Sequence, residues 1–328
     1  MTICYFGNYD PGYSRNRVLK KGLKKNGVEV VECNDRSPGI KKYLEIIRKH
    51  HRLSGQYDAL IIGYAVQGQR FIVLLARLIT RKPVVWDALF SLYDNWIFDR
   101  KLASPNSLKA YYYWFLDWIC CRVADYIILD TFGNIKYFVE TFGISPEKFI
   151  RILVGTDDEI VYPREKQTDG SKFVAAFHGR YIPVQGAEYI IKAAKILAKE
   201  PNIEFRLLGA GQEFKKVKKL ADDLGLKNVV FLPPVSYGEL PKFIAEAYVC
   251  FCLLGVSPRA DLAIPNKVYE AAAMCRAIIN ADTTSIKELF SDHESILLCR
   301  AGDPEDIARK ILELKNNPAL KEKIAQNA

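Results

Sequence analysis

The stretch HGRYIPVQG, residues 178–186, sets His178, Gly179 and Arg180 at the end of an apolar run and Gln185 and Gly186 at the opening of a helical pattern. Backbone N–H groups at such a turn and the Arg180 guanidinium can converge on one anion, and a diphosphate suits them. An ordinary strand–loop–helix connection with a surface arginine has the same outline. In AIPNKVYEAAAM, residues 263–274, a helix opens with Pro265, Asn266 and Lys267 and carries Glu270 one turn further on the same side. A cation there opposes the helix dipole, and a carboxylate among Ala271, Ala272 and Ala273 needs a polar partner. A phosphate beside Lys267 and ribose hydroxyls on Glu270 would resolve both tensions. An exposed Lys–Glu pair has the same spacing, but the alanines imply burial. In RLLGAGQEF, Gly209 and Gly211 allow a tight turn beside a bound group. Without a third glycine or a downstream ribose-binding acid, a plain turn is favoured over NAD binding.

The elements that must position these residues alternate. TICYFG, VEVVEC, ALIIGY, PVVWD and DYIILD read as strands separated by helical patterns, and continuous apolar strands between helices imply a parallel sheet covered on both faces. The polar stretch YPREKQTDGSK, residues 162–172, reads as a linker between domains spanning 1–165 and 166–328. The alternation then restarts with FVAAFHG, IEFRLLG, VVFLP, VCFCLLG, AIIN and SILLC as strands, with TSIKELFSD expected as a helix. Two such α/β domains facing a central cleft would hold a ligand at the carboxyl ends of their strands. In the first half that edge carries Asp10, Gly12, Arg15 and Asn16 after strand one, and Asp87, Tyr93 and Asp94 after PVVW. Helix caps and salt bridges account for the same residues equally well.

Composition narrows the class. With 328 residues, 49% hydrophobic and 26% charged, the chain is globular rather than disordered. Residues 1–150 hold 22 Lys/Arg against 14 Asp/Glu, whereas the remainder holds 25 against 24, so nearly all of the net +9 belongs to the first half. An anionic membrane leaflet or nucleic acid would match that asymmetry, and the absence of a nucleic-acid module argues against the second. KKYLEIIRKHHRL is basic and amphipathic, and KAYYYWFLDWICCR is crowded with aromatics; both compositions suit a membrane interface and also a helix packed on a sheet. The eight cysteines form no C-x-x-C pair, no basic leader opens the chain, and the apolar runs fall short of a membrane span, so a cytoplasmic location is expected. No metal-binding or serine-hydrolase motif is present, and no metal is expected.

Taken together, HGRYIPVQG, RLLGAGQ, LPPVSYGELPKFIAEA and IPNKVYEAAAMCRAIIN resemble the C-terminal domain of the group 1 glycosyltransferases, family 4 of the retaining enzymes with the GT-B fold. YFGNYDPGYSRNRVLKKGLKKNGVEVVEC is similar to the family's opening strand, loop and helix. The resemblance implies two Rossmann-like domains, an acceptor-binding one followed by a nucleotide-sugar-binding one. It implies transfer with retention, a nucleotide-diphosphate sugar as co-substrate, no tightly bound cofactor, and a saccharide or lipid-linked acceptor. Arg180 and Gln185 take the positions of the family's diphosphate-binding arginine and lysine, and Glu270 that of its ribose-binding glutamate. Gly179, Gly186, Gly209, Gly211, Pro265 and Asn266 complete the expected donor site, with Arg180, Lys267 and Asp87 as catalytic candidates. Three features depart from the family: Gln185 replaces a lysine, which leaves Lys267 to supply the cation; Leu262, beside Asp261, replaces the first glutamate; and the family's final helix back to the first domain is not reached. A nucleotide-sugar epimerase and a non-catalytic subunit are the alternatives.

Overall fold

The computed structural model describes residues 1–65, 68–164 and 171–328, which form two compact units, Met1–Asp157 and Asp158–Ala328. The domain boundary expected at 165/166 falls outside the described residues. In the first unit, β1 (Thr2–Gly7), α1 (Ser14–Lys25), β2 (Glu29–Asn34), α2 (Lys41–Leu53), β3 (Ala59–Ile62), α3 (Gln69–Ile79), β4 (Val84–Asp87), α4 (Leu108–Val123), β5 (Tyr126–Leu129), α5 (Phe132–Phe142) and β6 (Phe149–Arg151) alternate along the chain. The six strands are all parallel, in the order β2-β1-β3-β4-β5-β6. Strands such as β3, buried at every position, read as unbroken apolar runs because helices or loops cover both sheet faces. Ser107 and Thr131 start α4 and α5 by accepting a backbone N–H with their hydroxyls.

The second unit repeats the plan with β7 (Phe173–Arg180), α6 (Ala187–Ile196), β8 (Ile203–Ala210), α7 (Phe214–Asp223), β9 (Val229–Leu232), α8 (Leu240–Ala245), β10 (Val249–Phe251), α9 (Asn266–Ala273), β11 (Ala277–Ala281), β12 (Leu297–Cys299), α10 (Pro304–Asn316) and α11 (Pro318–Asn327). Its parallel sheet runs β12-β11-β10-β7-β8-β9. Phe177, Phe205 and Phe251 are fully buried with Ile190 and Ile307 in one core, and Val268, Ile244 and Ile278 lie in a second. Burying each phenylalanine contributes about 2–3 kcal/mol. The strand order reverses between β7 and β10, and ligands of such sheets bind at that switch point, beyond the carboxyl ends of the strands.

Two local expectations are corrected. TSIKELFSD forms only a single 3₁₀ turn, Ile286–Glu288. Ile286 and Phe290 are its only buried apolar anchors, and so short a segment does not offset the cost of nucleating a helix. The three-residue edge strand β6 was absent from the sequence-based order because it is too short to show a period.

Candidate functional site

The carboxyl end of β7 brings three of the expected donor-site residues to the switch point of the second unit. Arg180 is exposed at the strand's last position, and among the described residues its guanidinium has no ion-pair partner. The chain then makes a short turn, Pro183–Gln185, and enters α6 through Gly186 at φ +67°. A side chain on Gly186 would run into the backbone of Leu254 and Gly255, which follow β10. The two loops are joined there by Gly255 N–H donating to the Val184 carbonyl at 3.2 Å and Leu254 N–H to that of Gln185 at 3.3 Å. Gly209 and Gly211 have an equally local explanation, since their Cα atoms lie against the backbones of Gly179 and Tyr181. Close packing at the carboxyl ends of β7 and β8 requires glycine at both positions.

Opposite this turn, Pro265 caps α9 without a side-chain hydrogen bond, Asn266 is half-buried in the first turn, and Lys267 and Glu270 point inward. Each of the two charged residues is only 5% exposed. The Lys267 ammonium donates to Gln185 Oε1 and stands 3.9 Å from the centre of the Phe177 ring. Its Nζ is 3.0 Å from where a Cβ on Gly179 would sit, and Gly179 adopts φ +140°, so no other residue fits at 179 without displacing the ammonium. Burial pushes the Lys267 pKa down to about 8, against an opposing pull from Cys252, Glu270 and Cys250. Glu270 instead faces His178, whose Nε2 lies 2.8 Å from Glu270 Oε2. A carboxylate only accepts, so Nε2 donates to it, and Nδ1 has no partner among the described residues. His178 is the residue whose role the sequence did not disclose: a polar side chain inside the apolar run FVAAFHG was the available signal.

The site therefore holds one buried ammonium bonded to a neutral amide, one exposed guanidinium, and one carboxylate fixed by an imidazole. Such a set can neutralise a polyanion and accept hydrogen bonds from vicinal hydroxyls. Asp261, beside the family's first glutamate position, is engaged elsewhere, its Oδ1 accepting from Thr284 N–H at 2.7 Å. No cluster of three or more His, Cys, Asp or Glu that could hold a metal occurs among the described residues.

In the first unit the expected acceptor-side residues divide. Asp10 is exposed, accepting from Gly12 N–H at 3.0 Å and from Arg36 at 3.2 Å. Gly12 is exposed in the same turn, and Tyr93 is half-buried, its ring edge-on to Phe98 at 5.3 Å. Asp94 is buried at the start of a π-helical turn, Asp94–Asp99. Arg15, Asn16 and Asp87 are buried. Both Asp87 oxygens accept from Arg15 Nε at 2.8 Å, and the two side chains are 0% and 2% exposed. Asn16 spends its amide on Tyr5, Tyr64 and the Asp10 carbonyl. These three are internal clamps on the loops after β1, β3 and β4, so the carboxylate of Asp87, expected as a catalytic candidate, is buried and bonded to Arg15.

Comparison with known proteins bears on the fold and the family. An uncharacterized glycosyltransferase of Methanocaldococcus jannaschii is 26% identical over 231 residues, 69% of this chain and 59% of that protein. The D-inositol 3-phosphate glycosyltransferase of Thermomonospora curvata is 23% identical over 229 residues, 62% of this chain and 52% of its own. The chain thus spans little more than half the length of these relatives. Among solved structures, Anabaena HepE in complex with UDP superposes with a TM-score of 0.70 at 18% identity, covering 100% of this chain and 93% of that one. Sucrose-phosphate synthase from Thermosynechococcus elongatus reaches 0.77 at 14% identity, covering 99% and 92%. Both likenesses establish the GT-B fold. The family described as "Glycosyl transferases group 1" matches residues 158–328, from the first residue of the second unit through every donor-side residue described above. The chain belongs to the group 1 glycosyl transferases.

Proposed function

We propose that the chain is a retaining glycosyltransferase that moves a sugar from a UDP- or GDP-linked donor to a glycan or a lipid-linked acceptor, in the biosynthesis of cell-surface polysaccharide or glycolipid. The observation that carries this reading is the pairing on α9: a buried ammonium at the helix start and, one turn on, a carboxylate held by His178, both at the sheet's switch point. Lys267 and Arg180 neutralise charge as it develops on the departing diphosphate, and Glu270 accepts from the ribose hydroxyls. The acceptor hydroxyl oxygen bonds to the anomeric carbon on the face from which the phosphate leaves, and the phosphate oxygen takes the hydroxyl proton. These roles need no resident cofactor, and the donor is a co-substrate. UDP bound to HepE, and the names of relatives such as a putative colanic acid biosynthesis glycosyl transferase of Escherichia coli and a lipopolysaccharide core biosynthesis glycosyltransferase of Rhizobium meliloti, support the donor class and the setting. A lipid-linked acceptor places the protein at the cytoplasmic face of a membrane.

Calorimetric titration with UDP and GDP tests the site. The wild type binds at least one, and Glu270→Ala weakens it by at least about tenfold, the loss of one or two hydrogen bonds to a charged group. Equal affinity in the variant removes the ribose assignment, and no binding of either nucleotide removes the enzyme reading. Two observations favour a second reading, a non-catalytic subunit: Gln185 stands where the family has a lysine, and the Asp261 carboxylate is engaged by Thr284. Donor hydrolysis by the purified chain separates the two, because a passive subunit shows none.

A further inference from the structure

Only two residues of α2, Ile46 and His50, are buried; the face opposite them carries Lys41, Arg48 and Arg52, and an exposed apolar stripe runs between the two faces. Ile40, just before the helix, is 76% exposed, Leu44 63% and Ile47 40%. At about 100° per residue Ile40, Leu44, Ile47 and His51 fall within an arc of roughly 60°, so the exposed apolar side chains form one ridge. Lys41, Arg48 and Arg52, all exposed, run along one flank of that ridge. Among the described residues Lys41 and Arg52 have no acidic partner, and Arg48 reaches Glu45 only at 4.0 Å. The ridge contributes nothing to the core, and its flanking cations are not used to hold the fold.

α4 exposes a second apolar stripe of the same unit. Leu108, Tyr111, Tyr112 and Phe115 are between 48% and 89% exposed at helical spacing. Tyr112 lies close enough to Tyr43 of α2 to disfavour ionisation of the Tyr43 hydroxyl, behind the larger effect of burial. Basic side chains flanking an apolar ridge, with tyrosines beside it, are complementary to an anionic bilayer surface. The unit that carries them, Met1–Asp157, has 23 Lys/Arg and 15 Asp/Glu, which adds a longer-range attraction of the same sign.

We propose that α2 and α4 form a membrane-docking face, with Ile40, Leu44 and Ile47 entering the boundary between head groups and acyl chains while Lys41, Arg48 and Arg52 meet anionic head groups. The inference rests on the proposed function for its purpose, access to a lipid-linked acceptor, and on the surface alone for its existence.

Flotation of the full chain with vesicles of phosphatidylcholine, with and without phosphatidylglycerol, tests it. The wild type binds the anionic vesicles and not the neutral ones. Leu44→Glu/Ile47→Glu lowers that binding by more than about tenfold, and Lys41→Ser/Arg52→Ser by roughly 10- to 30-fold, from about a fivefold loss per cation. Wild-type circular dichroism and an unchanged urea transition of the first unit confirm that these variants are folded. Absence of vesicle binding, equal binding to both compositions, or wild-type binding by Leu44→Glu/Ile47→Glu overturns the proposal. So does a wild-type dimer that Leu44→Glu/Ile47→Glu converts to monomer, since the ridge would then be covered by a second copy. Selective vesicle binding by a chain that binds neither nucleotide upholds the docking face and removes the transferase reading.

Discussion

Replacing Lys267 by methionine separates what the buried ammonium does for the fold from what it does for a ligand. Burial lowers its pKa from 10.5 to about 8, and at ~1.4 kcal/mol per pKa unit the charge costs the folded protein about 3 kcal/mol at neutral pH. Methionine is of similar length and keeps a favourable contact with the Phe177 ring. It loses the hydrogen bond to Gln185, worth about 1–2 kcal/mol, and the half-buried Gln185 amide can turn towards water. Without nucleotide the variant should be more stable than the wild type by about 1–2 kcal/mol, and each kcal/mol raises the melting midpoint by about 2–4 °C. The pH dependence has a definite sign. The folded pKa lies below the unfolded one, so between pH 8 and 10.5 the unfolded chain binds the extra proton. Wild-type stability rises with pH through that window, the full cost being present below pH 8, and the Lys267→Met variant lacks the rise. Nucleotide binding moves in the opposite direction. Losing a charge-assisted bond to a diphosphate costs about 1.5–3 kcal/mol, roughly 10- to 100-fold in affinity. Wild-type affinity should also fall as the pH passes about 8 and free Lys267 loses its proton. Scanning calorimetry with and without UDP or GDP, and titrations on both sides of pH 8, read all of these. A variant less stable than the wild type that binds nucleotide equally well would refute the reasoning.

Two further substitutions probe the other buried polar pairs. His178→Ala should weaken nucleotide binding about 5- to 10-fold through a loosened Glu270, while His178→Gln, whose amide can donate to the same carboxylate, should restore most of it; equal affinity in all three proteins, by calorimetry, would mean that His178 does not position Glu270. Asp87→Ala leaves the Arg15 guanidinium buried without its counter-charge and should cost about 3–5 kcal/mol in urea unfolding of the first unit, with little effect on nucleotide affinity; a neutral result would remove the clamp assignment.

Much of this fold is legible because parallel strands buried on both faces write themselves as apolar runs: ALII, VVWD and YIIL are each three to four buried or nearly buried residues between helical patterns. β6 and the turn at Ile286–Glu288, each three residues long, are fixed by their neighbours. The donor side is partly legible. The Lys267–Glu270 spacing stands within one helix, and burial was implied by the alanines around it. The contacts that define their surroundings join residues far apart in the chain, 82 positions for Lys267 with Gln185 and 92 for Glu270 with His178. Spacing along a sequence cannot show such pairs. The same limit explains Asp87, whose partner Arg15 is 72 residues away and turns a presumed ligand contact into an internal tie.

Arg15 and Lys267, both buried, differ in outcome because their partners differ. Arg15 is bonded to a carboxylate that is equally buried, so charge is balanced inside the protein and the pair holds loops together. Lys267 is as deeply placed, yet its hydrogen-bond acceptor is a neutral amide, and the nearby Glu270 carboxylate is bonded to His178 instead. A fold that needed only packing at that position would be better served by an apolar side chain, because the ammonium costs about 3 kcal/mol there. Violations of local physical rules concentrate where function requires them, and this one combines a cation at a helix N-terminus, against the dipole, with desolvation. An anion bound at the same spot reverses both penalties at once: it opposes the ammonium and faces the first turn of α9, which no side chain caps. A diphosphate is therefore the ligand class for which the placement of Lys267 is an advantage, whereas a neutral sugar alone would leave the cost of the buried charge unanswered.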